Sequence, residues 1–152
     1  MSNVWNFPNS EVAMGNLGVI YANRGLVGHA LETWLLGLSV KSDYDVCWYN
    51  LGAALRVRGP LNFNYLPLLT THIPKEVIEA AVKEPVKAHL ALARYCIQRA
   101  AVSKLSHFRV RWEREVKELD DLLKKTPEEL MAMANATTAP PTVAVTTATV
   151  GT

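Results

Sequence analysis

The side chains able to do chemistry in this sequence are few and scattered. Four histidines occur, His29, His72, His89 and His107, and none stands at a metal-ligand spacing such as HExxH from another His or a carboxylate. Ordinary surface or partly buried imidazoles are expected, with no metal and no cofactor. The two cysteines, Cys47 and Cys96, match no redox or zinc spacing and are expected to be buried free thiols in a reducing compartment. No serine lies in a GxSxG turn, and no GxGxxG loop is present to cradle a phosphate. Carboxylates concentrate between Glu113 and Asp121, interleaved with Arg114 and Lys117, which is the pattern of a solvated helix face. The expectation is therefore a protein that is not an enzyme and has no catalytic residues.

One charge cluster is sharper. Between Pro85 and Trp112 lie Lys87, Arg94, Arg99, Lys104, Arg109 and Arg111 without a single acidic residue. Such a run suits RNA or an acidic protein. On a helical wheel, however, the six spread around most of the polar arc, so a soluble helix face balanced by the acidic segment that follows is the plainer reading. RNA association through 87–111 is kept as the alternative function. The net charge of +2 over 152 residues is too small by itself to argue for nucleic acid or an anionic membrane. No secretory or mitochondrial leader is visible, and no apolar run approaches the roughly 18 residues of a membrane span. A soluble cytoplasmic protein follows as the expectation. With 49% hydrophobic residues, the chain has the means to bury one core.

The elements that would position any site announce themselves by self-similarity. Asn16-Leu17-Gly18 recurs as Asn50-Leu51-Gly52, and Gly25 as Gly59, all at a shift of 34 residues. In the first unit Leu17-Gly18 is followed by Tyr21, Gly25, Ala30 and Trp34; in the second, Trp48 precedes Leu51-Gly52. This pattern resembles the tetratricopeptide repeat, whose period is about 34 residues. Independently of the family, helical spacing predicts helices over 12–23, 26–40 and 45–57, with Gly25 breaking the first pair. Small residues such as Gly18 and Ala30 would let backbones approach, with Trp34 filling the space beside them. The match then stops: Gly59-Pro60 and Pro67 interrupt the expected fourth helix, and Asn64 stands where the family has alanine. One repeat is complete and the second is half matched, over about residues 11–59.

The resemblance implies a groove lined by the first helix of each unit, in which an asparagine before Leu-Gly holds a bound peptide's backbone. Carried onto this chain, the partner-binding residues are Asn16, Val19, Asn23, Tyr49, Asn50, Ala53 and Arg56. The subclass that clamps a peptide's terminal carboxylate is disfavoured, because its lysine and second asparagine are here Gly15 and Val19.

Beyond Pro74 a short helix over 75–83 is expected, then, after Pro85, a stretch to Lys125 free of proline and glycine. Its stripe of Leu105, Phe108, Trp112, Val116, Leu119 and Leu122 marks one buried face. A single helix of that length would run roughly 60 Å at 1.5 Å per residue, so it either bends near 103–106 or projects to a partner. Thr126-Pro127-Glu128-Glu129 reads as a capping box opening a last helix to about Ala134. The organisation expected is an N-terminal arm (1–10), a repeat region (11–74) with an irregular loop (59–74), a helical extension (75–134) and an uncharged low-complexity tail (135–152). That tail, alone, should be disordered. The fold class is all-α. The function expected is a non-enzymatic adaptor or structural subunit of a multi-subunit complex, binding other proteins through the groove and by helix packing, with no membrane span.

Overall fold

The computed structural model describes residues 10–57, 63–103, 108–136 and Thr146. These residues are all-α: eight helices and, among the described residues, no strand. The helices are α1 (Glu11–Asn23), α2 (Val27–Val40), α3 (Asp45–Val57), α4 (Leu66–Leu69), α5 (Lys75–Val82), α6 (Ala88–Ala101), α7 (Arg109–Leu123) and α8 (Pro127–Ala136).

Local chemistry sets the first boundaries. Ser10 caps α1, its Oγ accepting the Ala13 N–H at 3.1 Å. Gly25 takes φ +78°, and Gly25 N–H and Leu26 N–H donate back to the carbonyls of Ala22 and Tyr21 at 3.0 and 2.9 Å. That pair of bonds is the Schellman arrangement, which needs a left-handed residue and so favours glycine. It ends α1 and releases α2 in the opposite direction. Asp45 stands first in α3, where a carboxylate complements the helix dipole.

Two close approaches organise the core. A Cβ at Gly18 would lie 2.1 Å from Trp34 Nε1, so the α2 indole lies flat on the glycine, and its Nε1–H donates to Gly15 O at 3.0 Å. A Cβ at Gly52 would lie 2.7 Å from Ile97 Cγ1 and 2.9 Å from Ala93 O. The helix that seals Gly52 is therefore α6. Ala30 precedes Trp34 by four residues as Ala93 precedes Ile97, and all four are fully buried. So α3 does receive a packing partner, supplied from further along the chain than the 34-residue period predicts.

The stretch between α3 and α6 is packed. Leu69 and Ile73 are fully buried, and Tyr65, Leu66, Leu68 and Val77 lie against the same core. Pro74 serves as N-cap of α5 instead of its first helical residue. The long proline-free stretch divides into α6 and α7, which fold back on one another: Lys87 Nζ donates to Leu123 O at 2.9 Å and Arg94 pairs with Asp120 at 2.6 Å. The bend predicted near 103–106 begins at Ser103, just past the end of α6, and residues 104–106, including Leu105 of the predicted stripe, lie outside the described residues. Trp112, Val116 and Leu119 of the predicted stripe are buried, Leu122 is half-buried, and Phe108 is exposed. Helix α8 opens on the predicted capping box, with Thr126 and Glu129 exchanging bonds of 3.1 and 3.2 Å, and buries no residue fully. Among the described residues no helix is long and apolar enough to cross a membrane.

Candidate functional site

Helix α3 is the most enclosed element of the molecule: every residue from Val46 to Leu55 is buried. It touches α1, α2 and α6 along its length, and α7 lies across the remaining flank. On that flank Tyr49 stacks on Trp112 with ring centroids 4.9 Å apart and planes 14° from parallel. The Tyr49 hydroxyl donates to Glu115 Oε1 at 3.2 Å. Two turns further on, Arg56 meets Glu115 at 3.7 Å and Glu118 at 3.3 Å. Burial, together with the Glu115 carboxylate beside it, pushes the Tyr49 phenol up to about 12, so it stays a neutral donor at physiological pH.

The polar atoms that matter most belong to Asn50, which is 0% exposed. A buried carboxamide costs stability unless its donor and acceptor are both paired. Both are. Asn50 Nδ2–H donates to Thr146 O at 2.7 Å, and Thr146 N–H donates to Asn50 Oδ1 at 2.6 Å. The amide orientation follows from this complementarity, since exchanging O and N would set donor against donor. One side chain thus reads the main-chain donor and acceptor of one residue 96 positions away, a geometry indifferent to that residue's side chain. At about 0.5–1.5 kcal/mol per hydrogen bond the pair is worth roughly 1–3 kcal/mol net.

The structure distributes the predicted binding residues unevenly. On α3, Tyr49 and Arg56 are engaged by α7, Asn50 by Thr146, and Ala53 is buried on the same helix. On α1, Val19 belongs to the core, Asn16 is half-buried and Asn23 is exposed at the last helical position. Sequence reasoning missed Trp112, Glu115 and Thr146 as neighbours of this surface. Trp112 was legible as part of a buried stripe, though its destination was not. Thr146 carries no signal at all, because it is held by atoms every residue has.

The other candidates fall into ordinary roles. The described histidines join no metal cluster, and none forms among the described residues. His29 lies beside the Tyr21 ring at 5.3 Å. His72 neighbours Thr71 and Ser39. Burial holds the protonation of both His72 and His89 below the usual imidazole range, and His89 Nδ1 has no hydrogen-bond partner. His107 lies outside the described residues. Cys47 and Cys96 are buried free thiols, and burial pushes Cys47 up to about 12.

The basic run is internally occupied: Lys87 by Leu123 O and Glu84, Arg94 by Asp120, Arg109 by Glu113 and Arg111 by Glu115. The Arg99 guanidinium sits over the Trp48 ring at 4.7 Å. Lys104 lies outside the described residues. Comparison with protein-family models, with curated proteins and with solved structures finds no match to this chain.

Proposed function

We propose that this chain is a non-enzymatic protein-interaction module, an adaptor or structural subunit, that grips an extended peptide segment by its main chain at Asn50. The observation that carries the reading is the fully buried carboxamide whose two bonds go to the backbone N–H and C=O of a single residue. On this reading the 34-residue self-similarity is a tetratricopeptide-like pattern. Its second unit is completed by α6 in place of an immediately following helix, with 58–87 as an insertion. Supporting this, Gly18 and Gly52 each receive a helix four residues after a buried alanine, α2 with Ala30 and Trp34 and α6 with Ala93 and Ile97. The alternative, RNA association through 87–111, is weakened because each described basic residue there already has an acidic, carbonyl or aromatic partner. Phosphates would have to displace those partners.

The test is native purification, mass measurement of the complex, and comparison with two variants. Partner loss on Asn50→Leu, which keeps the volume and removes both hydrogen-bonding groups, supports the reading. Retention on Asn50→Leu, with loss in high salt or on neutralising Arg94, Arg99, Arg109 and Arg111, overturns it in favour of nucleic acid.

A further inference from the structure

The residue held by Asn50 belongs to the protein itself. We infer that Thr146 is an intramolecular ligand of the Asn50 site, held by its main chain, which an incoming peptide must displace before it can bind. The inference rests on the main-chain reading of that site and adds to it both a ligand class and a form of regulation.

Three observations converge. First, both hydrogen-bonding groups of Asn50 are already satisfied by Thr146, at 2.7 and 2.6 Å, so no second backbone can use them while Thr146 is in place. Second, no Asp, Glu, Lys or Arg follows Glu129, and 142–150 reads Thr-Val-Ala-Val-Thr-Thr-Ala-Thr-Val. An uncharged sequence context brings no ion that a desolvated site would have to bury. The ligand class this defines is an uncharged peptide read through the main-chain N–H and C=O of one residue. Third, nine residues separate Thr146 from Ala136 at the end of α8. A connection of that length holds the tail at an effective concentration on the order of millimolar. Taken as the net preference of an intramolecular contact, the pair's roughly 1–3 kcal/mol favours the held over the released state by about 5- to 160-fold. A tail that fills the site nine times in ten lowers a competitor's apparent affinity by about tenfold.

The experiment uses the full chain and, as probe, a fluorescent synthetic peptide with the sequence of residues 139–152. Thr146→Pro removes the N–H that Asn50 accepts while leaving the folded helices untouched. Expected are weak probe binding to the unaltered chain, binding at least about tenfold tighter to Thr146→Pro, and none to the Thr146→Pro, Asn50→Leu double variant. Amide exchange gives an independent reading: the Thr146 N–H should be protected in the unaltered chain and lose that protection in Asn50→Leu. Equal probe affinity for the unaltered chain and Thr146→Pro overturns the internal-ligand inference while leaving Asn50 as a peptide site. Failure of the probe to bind either chain, with Thr146 unprotected, overturns both. A doubling of mass that Asn50→Leu abolishes shows the tail bound to a second copy and overturns the intramolecular form.

Discussion

Gly15 and Gly18 lie one turn apart on α1, and the structure assigns opposite signs to the same substitution at the two positions. Replacing a mid-helix glycine by alanine normally stabilises by about 0.5–1 kcal/mol, because glycine loses more backbone entropy on folding. At Gly15 the new methyl would meet Tyr44 Cε2 and Val46 Cγ1 at 3.5 Å each and Cys47 Sγ at 3.9 Å, all ordinary contacts. Gly15→Ala should keep the full gain. At Gly18 the methyl would fall 2.1 Å from Trp34 Nε1 and 2.5 Å from Cδ1 and Cε2. The indole is rigid, fully buried and tied by Nε1–H to Gly15 O, so it has nowhere to retreat. Overpacking of this kind costs about 1–3 kcal/mol. Loss of the indole hydrogen bond leaves a buried donor unpaired for about 1–3 kcal/mol more. Against a propensity gain of at most about 1 kcal/mol, Gly18→Ala should destabilise by roughly 2–5 kcal/mol. At about 2–4 °C per kcal/mol for a chain of this size, Gly15→Ala should raise Tm by up to about 4 °C and Gly18→Ala should lower it by some 4–20 °C. Chemical denaturation at constant m-value would check both. The same sign for the two variants, or a Gly18→Ala as stable as the parent, would refute the close approach of α2 to α1.

Two further outcomes follow from burial. Trp112→Ala should cost about 3–5 kcal/mol by opening a cavity against Tyr49, whereas Trp112→Phe should cost under about 1.5 kcal/mol, because the indole N–H it removes has no partner. Urea midpoints of the two variants give the comparison, and equal losses would contradict the unpaired donor. Stability should also fall in acid. His72 and His89 are held below the ordinary imidazole range when folded, so from about pH 6.5 downward the unfolded chain takes up protons that the folded chain declines. Their contribution is flat above that range and turns increasingly unfavourable below it. Each withheld proton tilts stability by at most about 1.4 kcal/mol per pH unit. Thermal unfolding between pH 7.5 and 5 should show the decline, and His89→Leu should flatten it.

The boundaries of α1, α2 and α3 were readable from apolar spacing and from Gly25, which breaks the first pair, whereas the Ser10 cap that starts α1 came only with the structure. The role of α6 was not readable. Between Gly52 and the helix that seals it lie more than thirty residues interrupted by four prolines, and periodicity says nothing about which distant helix will fill a glycine's hollow. Ile97 also offers no aromatic signature to match Trp34. The site was legible in one atom group and opaque in the rest. Asn50 stood out by its recurrence, but Trp112 and Glu115 reach α3 only because α7 folds back over α6. Residue 146 is recognised through its peptide unit, so no choice of side chain could have marked it.

The position of Asn50 bears on why an internal ligand would be present at all. Its neighbours on α3 are apolar or paired to α7, so this carboxamide sits in a desolvated setting at the centre of a helix packed on every side. A leucine there would pack at no polar cost, whereas an unpaired asparagine would forfeit about 1–3 kcal/mol. Asparagine is therefore favourable only when something supplies a matched donor and acceptor, and a peptide backbone is the cheapest such group the chain can bring. On the proposed reading the vacant site is the least stable state, and ligand binding is an exchange of one backbone for another. Because both backbones would make the same two bonds, partner affinity has to come from contacts beyond the pair at Asn50, against α1 or α7. The Asn50 site would then set the register and conformation of the bound segment, and its surroundings would set which segment wins.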